Sequence, residues 1–260
     1  SSSSSSSSSS GITEASTSSG VDYALSRKGR SSGSQLTRQI EGGTLLSWGL
    51  KEWRLGRVHG EASVPEPALA DLKVTSIAGS RHAAIATAEG HVWTMGHDDS
   101  KGGGGHGSIP MLVSGQLGRP GGSMPARVLG ELEGKFVVQV STGRYHTLAL
   151  TDDGAVYSWG LNDWGQLGRK GEIGTLMPLK ANAPPDQQRE WDAVQGRQGE
   201  ECTHGPACHQ TRPGLVSQLA GKRIVGISSG RYNTLALDDR GVLHVWGLDG
   251  CGSGGMVPAR

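Results

Sequence analysis

Phenylalanine occurs once in this 260-residue chain, and all aromatic residues together make up 5% of it. Large cores built on many rings are therefore excluded, and helices should be scarce. Charge of one sign is missing too: 25 basic residues face 24 acidic ones, so there is no basic footprint of the kind that drives phosphate-backbone binding, and nucleic acid is a poor partner. Cysteine is sparse. Cys202, Cys208 and Cys251 cannot all pair, do not form the framework of a small secreted domain, and favour a reducing compartment. Long apolar runs are absent: the ten-serine start and the Ser/Gly/Thr-rich stretch after it carry no basic region followed by an apolar core, so they read as neither signal peptide nor membrane span. Residues 1–17 are expected to be disordered, and the chain to be soluble and intracellular, either cytoplasmic or nuclear. Gly102 to Gly105 are not followed by the Gly-Lys-Ser/Thr of a phosphate cradle, and no Ser/His/Asp order or paired-carboxylate motif is found, so no cofactor and no catalytic residue is expected.

What the chain has in quantity is glycine, 43 residues of it, and that glycine is periodic. One phrase recurs as Gly79-Ser80-Arg81-His82-Ala83, Gly143-Arg144-Tyr145-His146-Thr147 and Gly230-Arg231-Tyr232-Asn233-Thr234. Eleven residues after each opening glycine stands a turn glycine (Gly90, Gly154, Gly241), and seventeen after it another (Gly96, Gly160, Gly247). Register kept over three copies is the signature of a repeat architecture. Between the glycines lie two short β-prone runs joined by Ala88-Glu89-Gly90, Asp152-Asp153-Gly154 or Asp239-Arg240-Gly241, a hairpin signal. A third apolar run precedes each opening glycine, at residues 72–77, 136–140 and 224–227, and reads as a further strand of the same sheet.

The second hairpin strand ends in Trp159-Gly160 and Trp246-Gly247, in Trp48-Gly49 of a degraded earlier copy, and in Met95-Gly96 in the remaining one. These pairs read as structural: an indole offers more apolar area than one small sheet can bury, so each sheet needs a stacked neighbour. Gly165-Gln166-Leu167-Gly168 follows one Trp-Gly, and Gly115-Gln116-Leu117-Gly118 echoes it. Four units result, near residues 18–66, 67–124, 125–212 and 213–260, with insertions near 97–114 and 171–210 that read as loops.

These motifs resemble the regulator of chromosome condensation repeat family, whose members carry Gly-x-x-His-Thr-x-Ala-Leu, Asp-Gly-x-Val-Tyr-x-Trp-Gly and Gly-Gln-Leu-Gly at the same relative positions. The resemblance implies an all-β fold, a β-propeller of about four blades here. Seven units of about 50 residues exceed the 260 available, so an incomplete seven-bladed ring is expected. It implies a non-enzymatic module that acts as a protein-protein interaction scaffold. Because the family includes a guanine nucleotide exchange factor for the nuclear small GTPase Ran, it also implies, as an alternative, exchange on or regulation of a small GTPase. An ultraviolet photoreceptor role is disfavoured, since the residue after the opening glycine is Ser80, Arg144 or Arg231 where that receptor crowds tryptophans.

Four sets of residues stand out as candidate sites. Arg144 and Arg231 directly follow the opening glycine, and Arg81 stands one place later; repeated at one loop position, they would line one face and offer planar donor forks to an acidic partner, or else pair with Asp152, Asp153 or Asp239. Trp53 and Trp164 share a loop position four residues after a Trp-Gly pair and read as partner anchors or lids on a blade edge. His82 and His146 occupy one repeat position and are expected to serve each blade by bonding a turn backbone. Cys202, His204, Cys208 and His209 form the one metal constellation, with cysteine spacing and adjacency awkward for zinc, so no metal site is assigned.

Overall fold

The glycine-punctuated runs form antiparallel sheets that follow one another along the chain. The computed structural model describes residues 41–48, 63–98 and 110–248, together with the backbone of residues 257–258. Trp53, Gly49 and Cys251 lie outside the described residues.

Sixteen strands are present among the described residues. In chain order they are β1 (Leu45–Ser47), β2 (Glu66–Ala68), β3 (Val74–Gly79), β4 (His82–Thr87), β5 (Val92–Gly96), β6 (Ala126–Arg127), β7 (Val137–Thr142), β8 (His146–Thr151), β9 (Val156–Leu161), β10 (Gly171–Ile173), β11 (Glu201–Cys202), β12 (Cys208–Leu215), β13 (Ile224–Ser229), β14 (Asn233–Asp238), β15 (Leu243–Gly247) and β16 (Val257–Pro258). They build a two-stranded sheet β1-β2, two four-stranded sheets β3-β4-β5-β6 and β13-β14-β15-β16, and a six-stranded sheet β11-β10-β12-β9-β8-β7. All pairings are antiparallel. The fourth strand of each blade was not read from the sequence. Its signal is weak: a proline beside a short apolar pair, in Pro67-Ala68, Pro125-Ala126, Pro213-Gly214 and Val257-Pro258. Proline suits an edge strand, where a missing N–H costs no ladder bond.

Successive sheets are tied at their turns. The turn-glycine carbonyl of one blade accepts the N–H of the first inner-strand residue of the next: Val74 to Gly43 at 2.9 Å, Val137 to Gly90 at 3.0 Å, and Ile224 to Gly154 at 3.1 Å. Two cores lie between blades. Ala84, Ala86, Val92, Val128 and Leu132 pack on Val137, Val140, Ala149, Tyr157 and Trp159. Leu148, Leu150, Val156, Val216 and Leu219 pack on Ile224, Ile227, Ala236 and Trp246. Strand β8 therefore alternates between neighbours. Ala149 faces the preceding blade, Leu148 and Leu150 face the following one, and all six of its residues are buried.

The third unit's insertion is more than a loop. It supplies β10, β11, the first half of β12 and a helix, α1 (Pro185–Val194), which starts with proline in its first turn. Ile173, Val194 and Ala207 bury against Met111, Tyr145 and Leu161 in a third core, and the Trp191 indole donates to the Met177 carbonyl at 3.0 Å. The expectation of loop alone failed because apolar residues scattered among polar ones, such as Ile173, Trp191 and Val194, carry no clear period.

Cys202 and Cys208 form a disulfide with Cα atoms 6.0 Å apart, tying β11 to the start of β12, the two strands that flank β10. Counting cysteines could not reveal this pairing, and cysteine usage no longer argues for a reducing compartment. Bonded sulfurs cannot act as thiolate ligands. His204 Nδ1 lies 3.1 Å from Thr203 Oγ1 and His209 Nδ1 is 3.1 Å from the Glu172 carbonyl. Among the described residues no group of three or more His, Cys, Asp or Glu is arranged to hold a metal ion. A Cys202→Ser/Cys208→Ser variant should lose about 2 kcal/mol by the entropy of closing so short a loop. Urea titration of the variant against the untouched chain reads the difference; equal midpoints would show that the bond carries no stability.

Candidate partner-binding face

Why the motif residues are what they are becomes clear at the blade junctions. The Gln116 carbonyl of one blade accepts the Trp159 indole N–H at 3.0 Å and the Thr147 hydroxyl at 2.8 Å, both from the next blade. One junction later, the Gln166 carbonyl accepts Trp246 at 3.0 Å and Thr234 at 2.8 Å. Gly118 and Gly168, at φ +68 and +63, press against these indoles: a Cβ would lie 2.5 Å from Trp159 Nε1 and 2.7 Å from Trp246 Nε1. The histidines complete the lock. His82 Nε2 is 2.6 Å from Thr147 Oγ1, and His146 Nε2 is 3.0 Å from Thr234 Oγ1. They bond a threonine of the next blade, where sequence reading expected a turn backbone.

Each threonine has one hydroxyl hydrogen, given to the glutamine carbonyl, so its histidine must donate from Nε2 and carry no proton on Nδ1. Nδ1 of both rings is buried without a hydrogen-bond partner. A second proton there would be unsolvated. Burial accordingly lowers the His82 pKa to about 3, with His146 adding to the effect, and lowers that of His146 to about 4.

Trp159 and Trp246 are 0% and 3% exposed, whereas Trp48 is 61% exposed and does not share their surroundings. Trp164 is half-buried, with its backbone N–H donating to Gln166 Oε1 at 2.8 Å. Sequence reading passed over the arginines after each Gly-Gln-Leu-Gly. Arg119 donates to the Thr94 carbonyl at 2.9 Å and Arg169 to the Ser158 carbonyl at 2.9 Å, fastening each loop to its own hairpin. Recurrence directly after Gly118 and Gly168 was the available signal.

The opening-glycine turns of three consecutive blades converge. They border an open basin of about 670 Å³ lined by Gly79, Ser80, Arg81, Thr142, Gly143, Arg144, Ser229, Gly230 and Arg231. Arg81 stands in the aromatic place of its turn and reaches the next blade, donating to the Tyr145 hydroxyl at 3.1 Å; Arg144 donates to the same oxygen at 2.9 Å. Both guanidinium groups lie 5.2 Å from the Tyr145 ring centre, and Arg231 lies 5.1 Å from that of Tyr232. The two tyrosine rings stack at 6.2 Å, and the Arg144 N–H meets the Arg231 carbonyl at 3.3 Å. Pairing with Asp152, Asp153 or Asp239 is ruled out by topology. Those acids sit at the opposite ends of the six-residue strands β8 and β14, roughly 20 Å away at 3.3 Å per residue.

Small antiparallel sheets stacked face to face around shared indoles define a β-propeller repeat protein. The family profile described as "Regulator of chromosome condensation (RCC1) repeat" matches residues 137–166 and again 153–203, and the chain belongs to that repeat family. It is 32% identical over 245 residues to the human E3 ubiquitin-protein ligase HERC2, which covers 79% of this chain and 5% of HERC2. It is 26% identical over 238 residues to the Arabidopsis thaliana ultraviolet-B receptor UVR8, covering 82% of this chain and 50% of the receptor. Among solved structures, Prp20p from Saccharomyces cerevisiae, reported together with its binding properties to Gsp1p and histones, superposes with a TM-score of 0.54 at 21% identity. The match covers 84% of this chain and 46% of Prp20p, and shows the fold. The chain thus spans half or less of the relatives it matches. No helix among the described residues is long and apolar enough to cross a membrane.

Proposed function

We propose that this chain is a non-catalytic interaction module that holds a protein partner on the face formed by the opening-glycine turns of its blades. One observation carries the reading: three arginines from three consecutive blades meet in one basin, and no acidic residue is among the described residues that line it. The buried histidines support it from the other side, since a ring sealed between blades at 0–2% exposure meets no substrate. Similarity to Prp20p, reported with its binding to Gsp1p, supports a second reading, regulation of a small GTPase.

Two measurements separate these readings. Nucleotide release from a panel of small GTPases is expected to be unaffected by this chain; acceleration of about tenfold or more for any member would replace the scaffold reading with the exchange reading. A photo-crosslinking residue placed at exposed Ser80 is expected to give a discrete heterologous adduct in cells. An absence of any adduct there, with adducts from a probe on α1, would move the partner surface off this face.

A further inference from the structure

We propose that the three-arginine basin recognises carboxylates, and that its occupant is an acidic segment of the protein partner, rich in Asp or Glu. This rests on the interaction reading and adds the chemistry of the contact.

The basin is a built site. Each guanidinium carbon lies 5.1–5.2 Å from a tyrosine ring centre, a cation–π contact that restrains the fork, and Arg144 and Arg231 carry further N–H groups for acceptors. Tyr145, 1% exposed, is held from below by the insertion core of Met111, Leu161, Ile173, Val194 and Ala207, so the platform under Arg81 and Arg144 is rigid. Two hydroxyls add an independent sign. Thr142 is 8% exposed and Ser229 half-buried, both line the basin, and the oxygen of each is buried with no hydrogen-bond partner among the described residues. A buried hydroxyl without a partner is destabilising, and an incoming acceptor relieves it.

Three positive charges and two waiting hydroxyls in about 670 Å³ call for small, multiply negative acceptors. Carboxylates fit the bidentate arginine edge. A nucleic-acid duplex would need a long basic track, and the chain carries a net charge of only +1.

The test uses the full chain and a fluorescein-labelled ten-residue peptide of alternating Asp and Glu, read by fluorescence anisotropy at low salt. The amide version, with Asn and Gln in place of the acids, serves as control. Saturable binding of the acidic peptide and none of the amide peptide is expected. Arg144→Ala/Arg231→Ala should weaken binding about tenfold or more, while Arg189→Ala on exposed α1 leaves it unchanged. Because Arg144 also supports Tyr145, a second variant separates contact from folding. Thr142→Val keeps the shape and removes the unpartnered hydroxyl, so its thermal midpoint should stay or rise while peptide affinity falls about threefold or more.

Equal weakening by Arg189→Ala, undiminished binding by Thr142→Val, or a labelled oligothymidylate bound more tightly than the peptide would overturn the proposal. If the peptide fails to bind while the Ser80 crosslink persists, the interaction reading stands and only the carboxylate chemistry is lost.

Discussion

Replacing Trp159 by alanine should cost about 3–5 kcal/mol, enough to remove most of the stability of an ordinary domain. Its indole is fully buried between two blades, packed on Val137, Val140 and Ala149, with Gly118 against its edge. Deleting it empties the junction and strips the Gln116 carbonyl of one of its two donors. Trp159→Phe keeps the ring in the junction, so its cost should be smaller, about 1–2 kcal/mol, combining the lost hydrogen bond with a smaller cavity. Trp48→Ala, at an exposed position, should change stability by less than about 0.5 kcal/mol. Urea denaturation of the three variants reads the order. Equal costs for Trp159→Ala and Trp48→Ala would mean that sheets in this protein do not depend on their neighbours.

Acidification should destabilise the chain well before its carboxylates titrate. In the unfolded state a histidine takes up its proton near pH 6.5, while His82 and His146 in the folded state stay neutral down to about 3 and 4. Between those limits the unfolded chain binds more protons, so stability falls as pH falls through 6.5 and the fall ends only near the folded values. Each histidine contributes up to about 1.4 kcal/mol per pH unit in that window. His209 and His91 are shifted in the same direction by burial and add to the slope. The repeat supplies its own control, because Asn233 fills the equivalent place in the last copy. A His82→Asn/His146→Asn variant should show a much flatter profile between pH 6.5 and 4.5, measured by urea midpoint. A slope as steep as that of the parent chain would assign the acid sensitivity elsewhere.

The contrast between junction and insertion explains what could be read without coordinates. Hairpins and inner strands were legible because strands buried on two faces, such as β8, spell out apolar runs between fixed glycines. The propeller followed from Trp-Gly and Gly-Gln-Leu-Gly recurring in step. What the letters could not show was the partner of each motif residue, since His82 answers Thr147 and Trp159 answers Gln116 across unit boundaries. Such contacts depend on blade stacking, which a linear period implies without pairing atoms. The arginine basin was half legible. Arg144 and Arg231 share a sequence position, yet Arg81 joins them only because its turn places it where the other copies have tyrosine. Trp48 misled for the opposite reason: it has the motif letters in an exposed setting.

The account turns on tryptophans sealed at blade junctions, and hydrogen exchange of the individual indole N–H groups, followed by NMR in the native chain, tests it most directly. Trp159 and Trp246 should exchange only through global unfolding, while Trp48 exchanges within the dead time. Should Trp159 and Trp246 lose their protons as fast as Trp48, the blades would not be locked through those indoles and the stacked-sheet account would be wrong.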